Sequence, residues 1–302
     1  MDNKLENILL QFGIAKSYTI SQIYKNSAWS VNDTYILKSN ENQGELDKSV
    51  MLNRLLLAEG VPVVEYIGAV DGSPYVSADR KYWSLMKKIK GTVFDPFIGG
   101  RKQNGMVLGK TVAGLHRAFV KIQDKVKTGE ADFSNELSSW IVPELEKHRV
   151  SFKNGVMDSL YTFFEHDYRS LPRQLIHRDM HTSNLLFDNG ALTGYLDFDL
   201  SNRNIRVFDL VYLGCSQLVD NYKDETRLAQ WCEIFAGIIQ GYAALLPLSE
   251  EELKAIPRLF IFDNILFTAF FLKNNQPEAA KKCGEMTNWL YDNMEMIQKI
   301  CT

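Results

Sequence analysis

The sequence predicts an α+β fold, with a small antiparallel sheet in the N-terminal third and a mainly helical remainder. Short runs of β-branched and aromatic residues occur before residue 90, which is the pattern of strands. After residue 105, apolar residues instead recur every three or four positions, the spacing of amphipathic helices. The pair Asn189-Gly190 lies between two apolar runs and adds a β-hairpin, because both residues tolerate positive φ.

Composition and charge limit the classes of function. The 302 residues are long enough for two lobes, and 45% hydrophobic with 24% charged residues is ordinary for a globular protein. A net charge of -3 argues against nucleic acid as a partner. The longest uncharged segment, residues 234–249, is shorter than a membrane span, so we expect no membrane partner. Four cysteines without metal or redox spacing indicate a cytoplasmic protein, whose oligomeric state the sequence leaves open.

The individual elements follow from local patterns. Apolar residues from Leu5 to Phe12 share one face of a predicted N-terminal helix, which lacks the features of a signal peptide. The strands predicted after it cover residues 17–24, 28–31, 34–38 and 83–86, with an edge strand at 61–67. The predicted helices cover residues 44–59, 105–122, 134–150, 155–168 and most of 210–302. In the last region, Ser249 and Glu252 are spaced as a capping box.

The most informative stretch is residues 175–209, around the predicted hairpin. The hairpin would bring Asn184, just before its first strand, beside Asp197, at the end of its second. Asp179 precedes Asn184 by five residues, so the intervening loop can aim its carboxylate at the same point. Two carboxylates and an amide oxygen suit phosphoryl transfer, which needs a proton acceptor and hard oxygen ligands for Mg²⁺.

The spacing His-x-Asp-x-x-x-x-Asn, from His177 to Asn184, followed by Asp-Phe-Asp resembles the catalytic and metal-binding loops of the protein-kinase-like fold. More narrowly, it resembles the aminoglycoside phosphotransferase and choline kinase family, through His181 and through Asp199 where protein kinases have Gly. This resemblance, specific over about 35 residues, implies a two-lobed fold. Residues 1–89 would form the nucleotide-binding lobe, and residues 90–302 the catalytic and substrate-binding lobe.

The resemblance also implies roles for individual residues. Asp179 would accept the proton of the substrate hydroxyl, Asn184 and Asp197 would bind Mg²⁺, and Lys38 would bind the phosphates of ATP or GTP. The other residues expected around the nucleotide are Asn26 and Ser27 over the phosphates, and Met86, Lys87, Lys88 and Ile89 against the adenine. The residues expected to give structural support are His177, Asp209 for the catalytic loop, and Glu45 for Lys38. The usual position of that glutamate falls near Ser49, so Glu45 is a substitute one turn earlier.

The acceptor does not follow from the sequence. The acceptors of the family that it resembles include aminoglycosides, choline and ethanolamine, homoserine, methylthioribose and other sugars. The residues expected to contact a small-molecule acceptor are His181, Asp199 and Asp263, the last of which we expect to face a cleft. Further candidates are Asp220, Glu233, Tyr242 and Trp289, as carboxylates for amines or aromatic walls for a quaternary ammonium.

The same stretch is open to four further interpretations. His177 and His181 are four residues apart and could share a zinc ion on a helix, although no second His/Cys cluster supplies the remaining ligands. Arg178 gives the His-Arg-Asp of protein kinases, but only 12 positions separate Asp197 from Asp209, which leaves no room for an activation segment. A non-catalytic nucleotide-binding regulator and a purely structural hairpin are the third and fourth interpretations.

Overall fold

The computed structural model describes residues 3–15, 17–24, 27–129 and 131–301, and the chain forms two compact units. The first unit comprises Met1–Phe94, Ile122–Thr128 and Ser183–Leu200, and the second comprises Asp95–Lys121, Gly129–Thr182 and Ser201–Thr302. This division differs from the predicted boundary between residues 89 and 90. The reason is that the central hairpin pairs with a strand at Thr92–Val93 and so belongs to the first unit.

Eleven strands and eleven α-helices are present in the described residues. The strands in chain order are β1 (Ile20–Tyr24), β2 (Ala28–Val31), β3 (Tyr35–Asn40), β4 (Tyr66–Ile67), β5 (Val76–Ala78), β6 (Lys81–Lys87), β7 (Thr92–Val93), β8 (Arg173–Ile176), β9 (Leu185–Asp188), β10 (Ala191–Tyr195) and β11 (Asn202–Ile205). The helices are α1 (Asn3–Gln11), α2 (Gln43–Ala58), α3 (Arg101–Ile122), α4 (Phe133–Glu136), α5 (Val142–Lys147), α6 (Val156–His166), α7 (Phe208–Leu218), α8 (Glu225–Ala243), α9 (Glu250–Lys273), α10 (Pro277–Asp292) and α11 (Met294–Cys301). A π-helical turn, Leu137–Ile141, joins α4 to α5 within the helix predicted for residues 134–150.

The first unit is built on an antiparallel sheet in the order β1-β2-β3-β6-β4, with β5 paired to β6. Asn32 and Asp33 both have positive φ, at 53° and 51°, and form the tight turn between β2 and β3. This hairpin fixes the register that places Lys38 opposite Ala28 on one side and Ser84 on the other. Helix α1 packs its apolar face into the core of this unit, as its sequence predicts.

The predicted central hairpin forms from β9 and β10, with β7 along its other edge. Its turn residues Asn189 and Gly190 have φ of 49° and 80°, so the local Asn-Gly signal is confirmed. Gly91, at φ 139°, lets the chain approach this hairpin closely. A Cβ at this position would lie 2.5 Å from Thr193 Oγ1 and 3.0 Å from the carbonyl oxygen of Phe187, so a larger residue fits only if these neighbours shift.

The second unit is mainly helical, with α5, α6, α7, α10 and α11 all in contact with α9. The predicted capping box of α9 is present, with Ser249 and Glu252 bonded reciprocally. Glu252 is also fully buried and accepts a hydrogen bond from Arg206 Nε at 2.7 Å. Helix α9 is long and apolar enough to cross a membrane, but 67% of its most apolar window is buried within the protein, as in the core helix of a soluble protein.

Candidate active site

Lys38 is the centre of a charge cluster in the first unit. Its ammonium nitrogen lies 2.8 Å from Asp199 Oδ2 and 3.1 Å from Asp197 Oδ1. Strand β3 carries the lysine, and the residues after β10 carry both acids. Burial lowers the pKa of Lys38, but the two carboxylates raise it by more, so the pKa lies above its ordinary value. Lys38 is therefore a positive charge at any physiological pH.

Asp199, which the sequence predicts to contact the acceptor, has its partners in the first unit. Its carboxylate is held by Lys38 and lies 3.4 Å from Asn40 Nδ2, both within the sheet unit. Burial raises the pKa of Asp199, but the charge of Lys38 lowers it by more, and the carboxyl stays ionised. The register of β3 delivers the lysine to this carboxylate, and a contact between Asp199 and an acceptor stays a prediction.

Glu45 does not contact Lys38, so the prediction that Glu45 supports this lysine is wrong. Glu45 lies in the exposed first turn of α2, where its backbone N–H bonds to Asn42 Oδ1 at 3.2 Å. One turn later, Ser49 is 2% exposed, and its hydroxyl lies 3.1 Å from Tyr66 Oη. Among the described residues, the carboxylates that contact Lys38 come from the strand end and not from this helix.

Asn184 and Asp197 are adjacent, as the hairpin prediction requires. The N–H of Leu196 donates to the carbonyl of Asn184 at 2.9 Å, which fixes Asn184 beside the residue that precedes Asp197. Asp197 has φ of 61°, an unusual value for a residue other than Gly, and such strain is typical of functional loops. Carboxylate and amide oxygens are ligands that Mg²⁺ prefers, so this donor set fits that ion.

The described residues contain no group of three or more His, Cys, Asp or Glu that could hold a metal ion by itself. A structural zinc site takes four such ligands, whereas Mg²⁺ takes one or two carboxylates and leaves places for phosphate oxygens. His177, one of the two histidines considered for zinc, is fully buried and accepts a hydrogen bond from the Asp179 N–H at 3.2 Å. The geometry of this stretch therefore favours Mg²⁺.

The four residues predicted to lie against the adenine, Met86, Lys87, Lys88 and Ile89, form the end of β6 and the residues after it. The backbone N–H of Lys87 donates to the Glu65 carbonyl at 2.9 Å, and that of Lys88 to the Thr34 carbonyl at 2.8 Å. These two donors already have protein partners. If the backbone recognises adenine here, the N–H of Ile89 and the carbonyl of Lys87 are the groups to test, and this stays a prediction.

The turn predicted to cover the phosphates is described in part. Asn26 lies outside the described residues. Ser27 donates its backbone N–H to the Tyr24 carbonyl at 3.2 Å and accepts from the Ser39 N–H at 2.9 Å. Ser27 thus closes the turn between β1 and β2, and its contact with a nucleotide stays a prediction.

Asp179 follows β8 in the second unit, and Tyr212 and His181 lie against its carboxylate. Tyr212 Oη donates to Asp179 Oδ1 at 2.6 Å, and His181 Nε2 lies 3.6 Å from the same oxygen. Burial raises the pKa of Asp179, but hydrogen bonds from His181 and Tyr212 and nearby positive charge lower it by more, to about 2. The carboxylate is therefore ionised at neutral pH and can accept a hydrogen bond or a proton.

Asp209 holds the backbone of the loop that carries Asp179. Its carboxylate is fully buried and accepts from the N–H groups of His177 at 2.8 Å and Arg178 at 2.7 Å. His116 Nε2 bonds to the same carboxylate at 2.8 Å, so this buried histidine has a structural role. Arg178 has φ of 70°, and the bonds to Asp209 hold this uncommon conformation.

Asp263 lies in the interior of the second unit, so the prediction that it faces a cleft is wrong. It is 2% exposed on α9 and contacts the thiol of Cys215. Burial raises the pKa of its carboxyl to about 7. The helical pattern alone did not reveal that α9 is enclosed by other helices on this side. Tyr242, another acceptor candidate, is also fully buried.

Tyr212 is the site residue that the sequence did not single out. It lies on α7 one turn after Asp209, where side chains three residues apart share a helix face. A hydroxyl at that spacing from the loop-bracing aspartate is the one signal that could have found it. Its ring also stacks on His181, with 6.3 Å between centroids.

Comparison with known proteins decides the family. Residues 19–248 match the family described as "Phosphotransferase enzyme family". The chain belongs to this family. Relatives of this phosphotransferase include the homoserine kinase of Zymomonas mobilis subsp. mobilis, 25% identical over 236 residues that cover 74% of this chain and 68% of that protein. The homoserine kinase of Polaromonas naphthalenivorans is 33% identical over 213 residues, covering 69% of this chain and 64% of that protein.

Solved structures show the same fold at low sequence identity. A microcompartment-associated aminopropanol kinase has a TM-score of 0.71 at 15% identity and covers 98% of both chains. An aminoglycoside 2'-phosphotransferase in complex with GDP has a TM-score of 0.69 at 15% identity, covering 96% of this chain and 98% of that one. The predicted protein-kinase-like fold is confirmed. The phosphotransferase is a small-molecule kinase that transfers phosphate from a nucleotide to a hydroxyl group.

Proposed function

We propose that this phosphotransferase uses ATP with Mg²⁺ to phosphorylate the hydroxyl of a small amino alcohol, with homoserine as the first acceptor to test. The observation that carries the proposal is the placement of Asp179, a half-buried carboxylate held by a 2.6 Å hydrogen bond from Tyr212 Oη. A phosphotransferase needs such a group to orient the acceptor hydroxyl and receive its proton. Two homoserine kinases that align with 69% and 74% of this chain support the choice of acceptor.

The proposed reaction is a direct transfer. The acceptor oxygen forms a bond to the γ-phosphorus, the bond from that phosphorus to the β,γ-bridging oxygen breaks, and ADP leaves. Asp179 orients the hydroxyl and takes its proton, while Lys38 binds the phosphates. Asn184 and Asp197 would hold Mg²⁺, which neutralises phosphate charge when bound. Asp209 contributes indirectly, because it fixes the backbone before Asp179.

We also propose a cytoplasmic location and ATP rather than GTP as the donor. The four cysteines, Cys215, Cys232, Cys283 and Cys301, are free thiols, which suits a reducing compartment. ATP is the more abundant donor there, and competition between ATP and GTP in the same assay would decide the second point.

A second acceptor class is favoured by a specific observation in the second unit. Tyr212 packs against Phe267 at 5.6 Å between ring centroids, and Phe267 packs against Phe271 at 5.8 Å. Aromatic rings suit a cationic amine. Arg178, the arginine next to Asp179, is paired with Glu136 at 2.5 Å and so is engaged before any acceptor carboxylate arrives. These features favour an amino alcohol without a carboxylate, such as ethanolamine or an aminopropanol.

ADP release with Mg²⁺ and ATP would be measured for homoserine, ethanolamine, 1-aminopropan-2-ol, choline and kanamycin. We expect one of the first three to raise turnover at least tenfold above background ATP hydrolysis, with the phosphorylated product identified by mass spectrometry. Asp179→Asn is the matched control and should bind nucleotide without this stimulation. Stimulation by kanamycin alone would reject the amino-alcohol proposal, and a wild-type protein that binds no nucleotide would reject the kinase mechanism.

A further inference from the structure

Lys38 has two acidic partners in the first unit, and their surroundings differ. The side chain of Asp197 is 42% exposed, whereas that of Asp199 is 20% exposed and makes the shorter contact, at 2.8 Å. We infer that Asp199 is the positioning residue that orients Lys38 toward the nucleotide phosphates. This inference rests on the proposed function, since it assigns a task within phosphate binding.

A lysine that binds phosphate needs such a partner. Its ammonium group sits on a flexible four-carbon stem, so an unrestrained Lys38 would lose conformational entropy each time a nucleotide bound. A carboxylate beside the ammonium removes that freedom in advance. In this unit the partner must remain available when the nucleotide is present. Once Asp197 serves a divalent cation, Asp199 is the carboxylate that is left to Lys38.

Asp199 is itself held in place, as a positioning residue must be. Asn40 Nδ2 lies 3.4 Å from the oxygen that contacts Lys38. The buried hydroxyl of Ser49 also hydrogen-bonds to this carboxylate and lies 3.1 Å from Tyr66 Oη. Because a carboxylate only accepts, Ser49 must donate to Asp199 and Tyr66 must donate to Ser49. Burial raises the pKa of Tyr66 to about 12, which keeps this phenol protonated as a donor.

The same contacts show how helix α2 takes part. Ser49 is a residue of α2 whose side chain reaches the cluster, and its short hydroxymethyl group leaves the space beside Lys38 to the carboxylate from the strand end. A longer acid at this position would extend toward the same ammonium. A glutamate at position 49 would therefore place a carboxylate beside Lys38 from the helix instead of from the strand end. Such a variant shows whether Lys38 needs a negative charge at this place or needs Asp199 itself.

The first test is nucleotide binding, which needs no acceptor. Titration calorimetry with ADP and with a non-hydrolysable ATP analogue, both with Mg²⁺, would compare wild-type protein with Asp199→Asn. We expect the dissociation constant of the ATP analogue to rise about 10- to 100-fold, by analogy with the loss of a residue that orients a metal-binding side chain. Asp188→Asn, an exposed acid on the same hairpin, is the matched control and should bind like wild type.

The second test restores the carboxylate from the helix. Ser49→Glu combined with Asp199→Asn should regain at least tenfold of the lost affinity, whereas Ser49→Gln with Asp199→Asn has the same size without the charge and should not. If the double variants fail to fold, the kinetic constants of Asp199→Asn alone decide. In that case a raised KM for ATP with an unchanged KM for the acceptor supports the inference.

Three results would overturn the inference. The first is unchanged nucleotide affinity in Asp199→Asn, with wild type binding normally. The second is a change confined to the acceptor KM, which would make Asp199 an acceptor ligand. The third is affinity that returns to the wild-type value at high Mg²⁺ concentration, which would make Asp199 a metal ligand. Failure of wild type to bind nucleotide would instead reject the proposed function on which the inference rests.

Discussion

Tyr212 Oη donates a hydrogen bond to Asp179 Oδ1 over 2.6 Å. The bond joins helix α7 to the loop after β8, so the carboxylate is held from the helix as well as from its own loop. A short bond from a phenol to a carboxylate also stabilises the charged form of the acid. Tyr212 therefore sets both the orientation and the proton affinity of the group proposed as the base.

Tyr212→Phe tests that relationship, because it removes the hydroxyl and leaves the ring. The pKa of Asp179 should rise, so the acidic limb of the pH profile of kcat/KM should move to higher pH. Turnover at neutral pH should fall roughly tenfold or more, because the carboxylate would no longer be held in the orientation that the acceptor hydroxyl needs. Tyr222→Phe, which alters a buried tyrosine packed against Trp289, is the control. An unmoved acidic limb would contradict the role of Tyr212.

Asp179→Asn tests the base itself. The amide keeps the size of the side chain but cannot take the acceptor proton, so turnover should fall by about 10²- to 10⁴-fold, the usual effect of a positioned base. The affinity for nucleotide should stay within about twofold of wild type, since the proposed phosphate contacts come from other residues. Steady-state kinetics and nucleotide titration on the same preparation would check both. Turnover close to wild type would remove Asp179 from the chemistry.

Local signals explain which parts of the fold were predictable. The hairpin around Asn189-Gly190 and the capping box at Ser249 depend on residues that are neighbours in the chain, and both are present. The position of Asn184 beside Asp197 then follows from the hairpin without knowledge of the rest of the fold.

Packing between distant elements explains what was missed. The partner of Lys38 depends on which face α2 turns toward the sheet, and the sequence does not show that the first turn of α2 leaves Glu45 exposed. The burial of Asp263 depends on the helices that surround α9. The hydrogen bond of Tyr212 depends on the same tertiary arrangement, since its partner is 33 residues away in the chain.

Asp263→Asn should change the pH dependence of stability. Burial raises the pKa of this carboxyl from 3.8 to about 7, so the folded state binds a proton that the unfolded state releases between these values. The contribution of this carboxyl to the stability of wild type is therefore greatest when it is neutral, below pH 3.8. That contribution to the free energy of unfolding falls as the pH rises from 3.8 to about 7. Asparagine does not titrate, so any cost of the amide is independent of pH.

The free energy of unfolding of Asp263→Asn relative to wild type should therefore increase by about 2–3 kcal/mol between pH 5 and pH 8, since one pKa unit corresponds to about 1.4 kcal/mol. Urea unfolding at the two pH values would measure it. Asp220→Asn, which changes an exposed acid paired with Lys282, should show no such trend. An equal difference at both pH values would mean that Asp263 does not titrate in this range.

Gly241→Ala should destabilise the second unit, because α8 and α3 approach too closely there for a side chain. A Cβ on Gly241 would come within 2.7 Å of Met106 Cα, a backbone atom that cannot rotate away. We expect the free energy of unfolding to fall by about 1–3 kcal/mol, the usual effect of overpacking.

Gly284→Ala is the matched control. Its Cβ would contact only Phe152 Cε1, at 3.8 Å, so the better helix propensity of alanine should stabilise α10 by up to about 1 kcal/mol. Urea unfolding would measure both variants. A loss of stability in Gly241→Ala with a gain in Gly284→Ala would attribute the loss to the contact between α8 and α3, whereas equal losses would mean that alanine disfavours both helices.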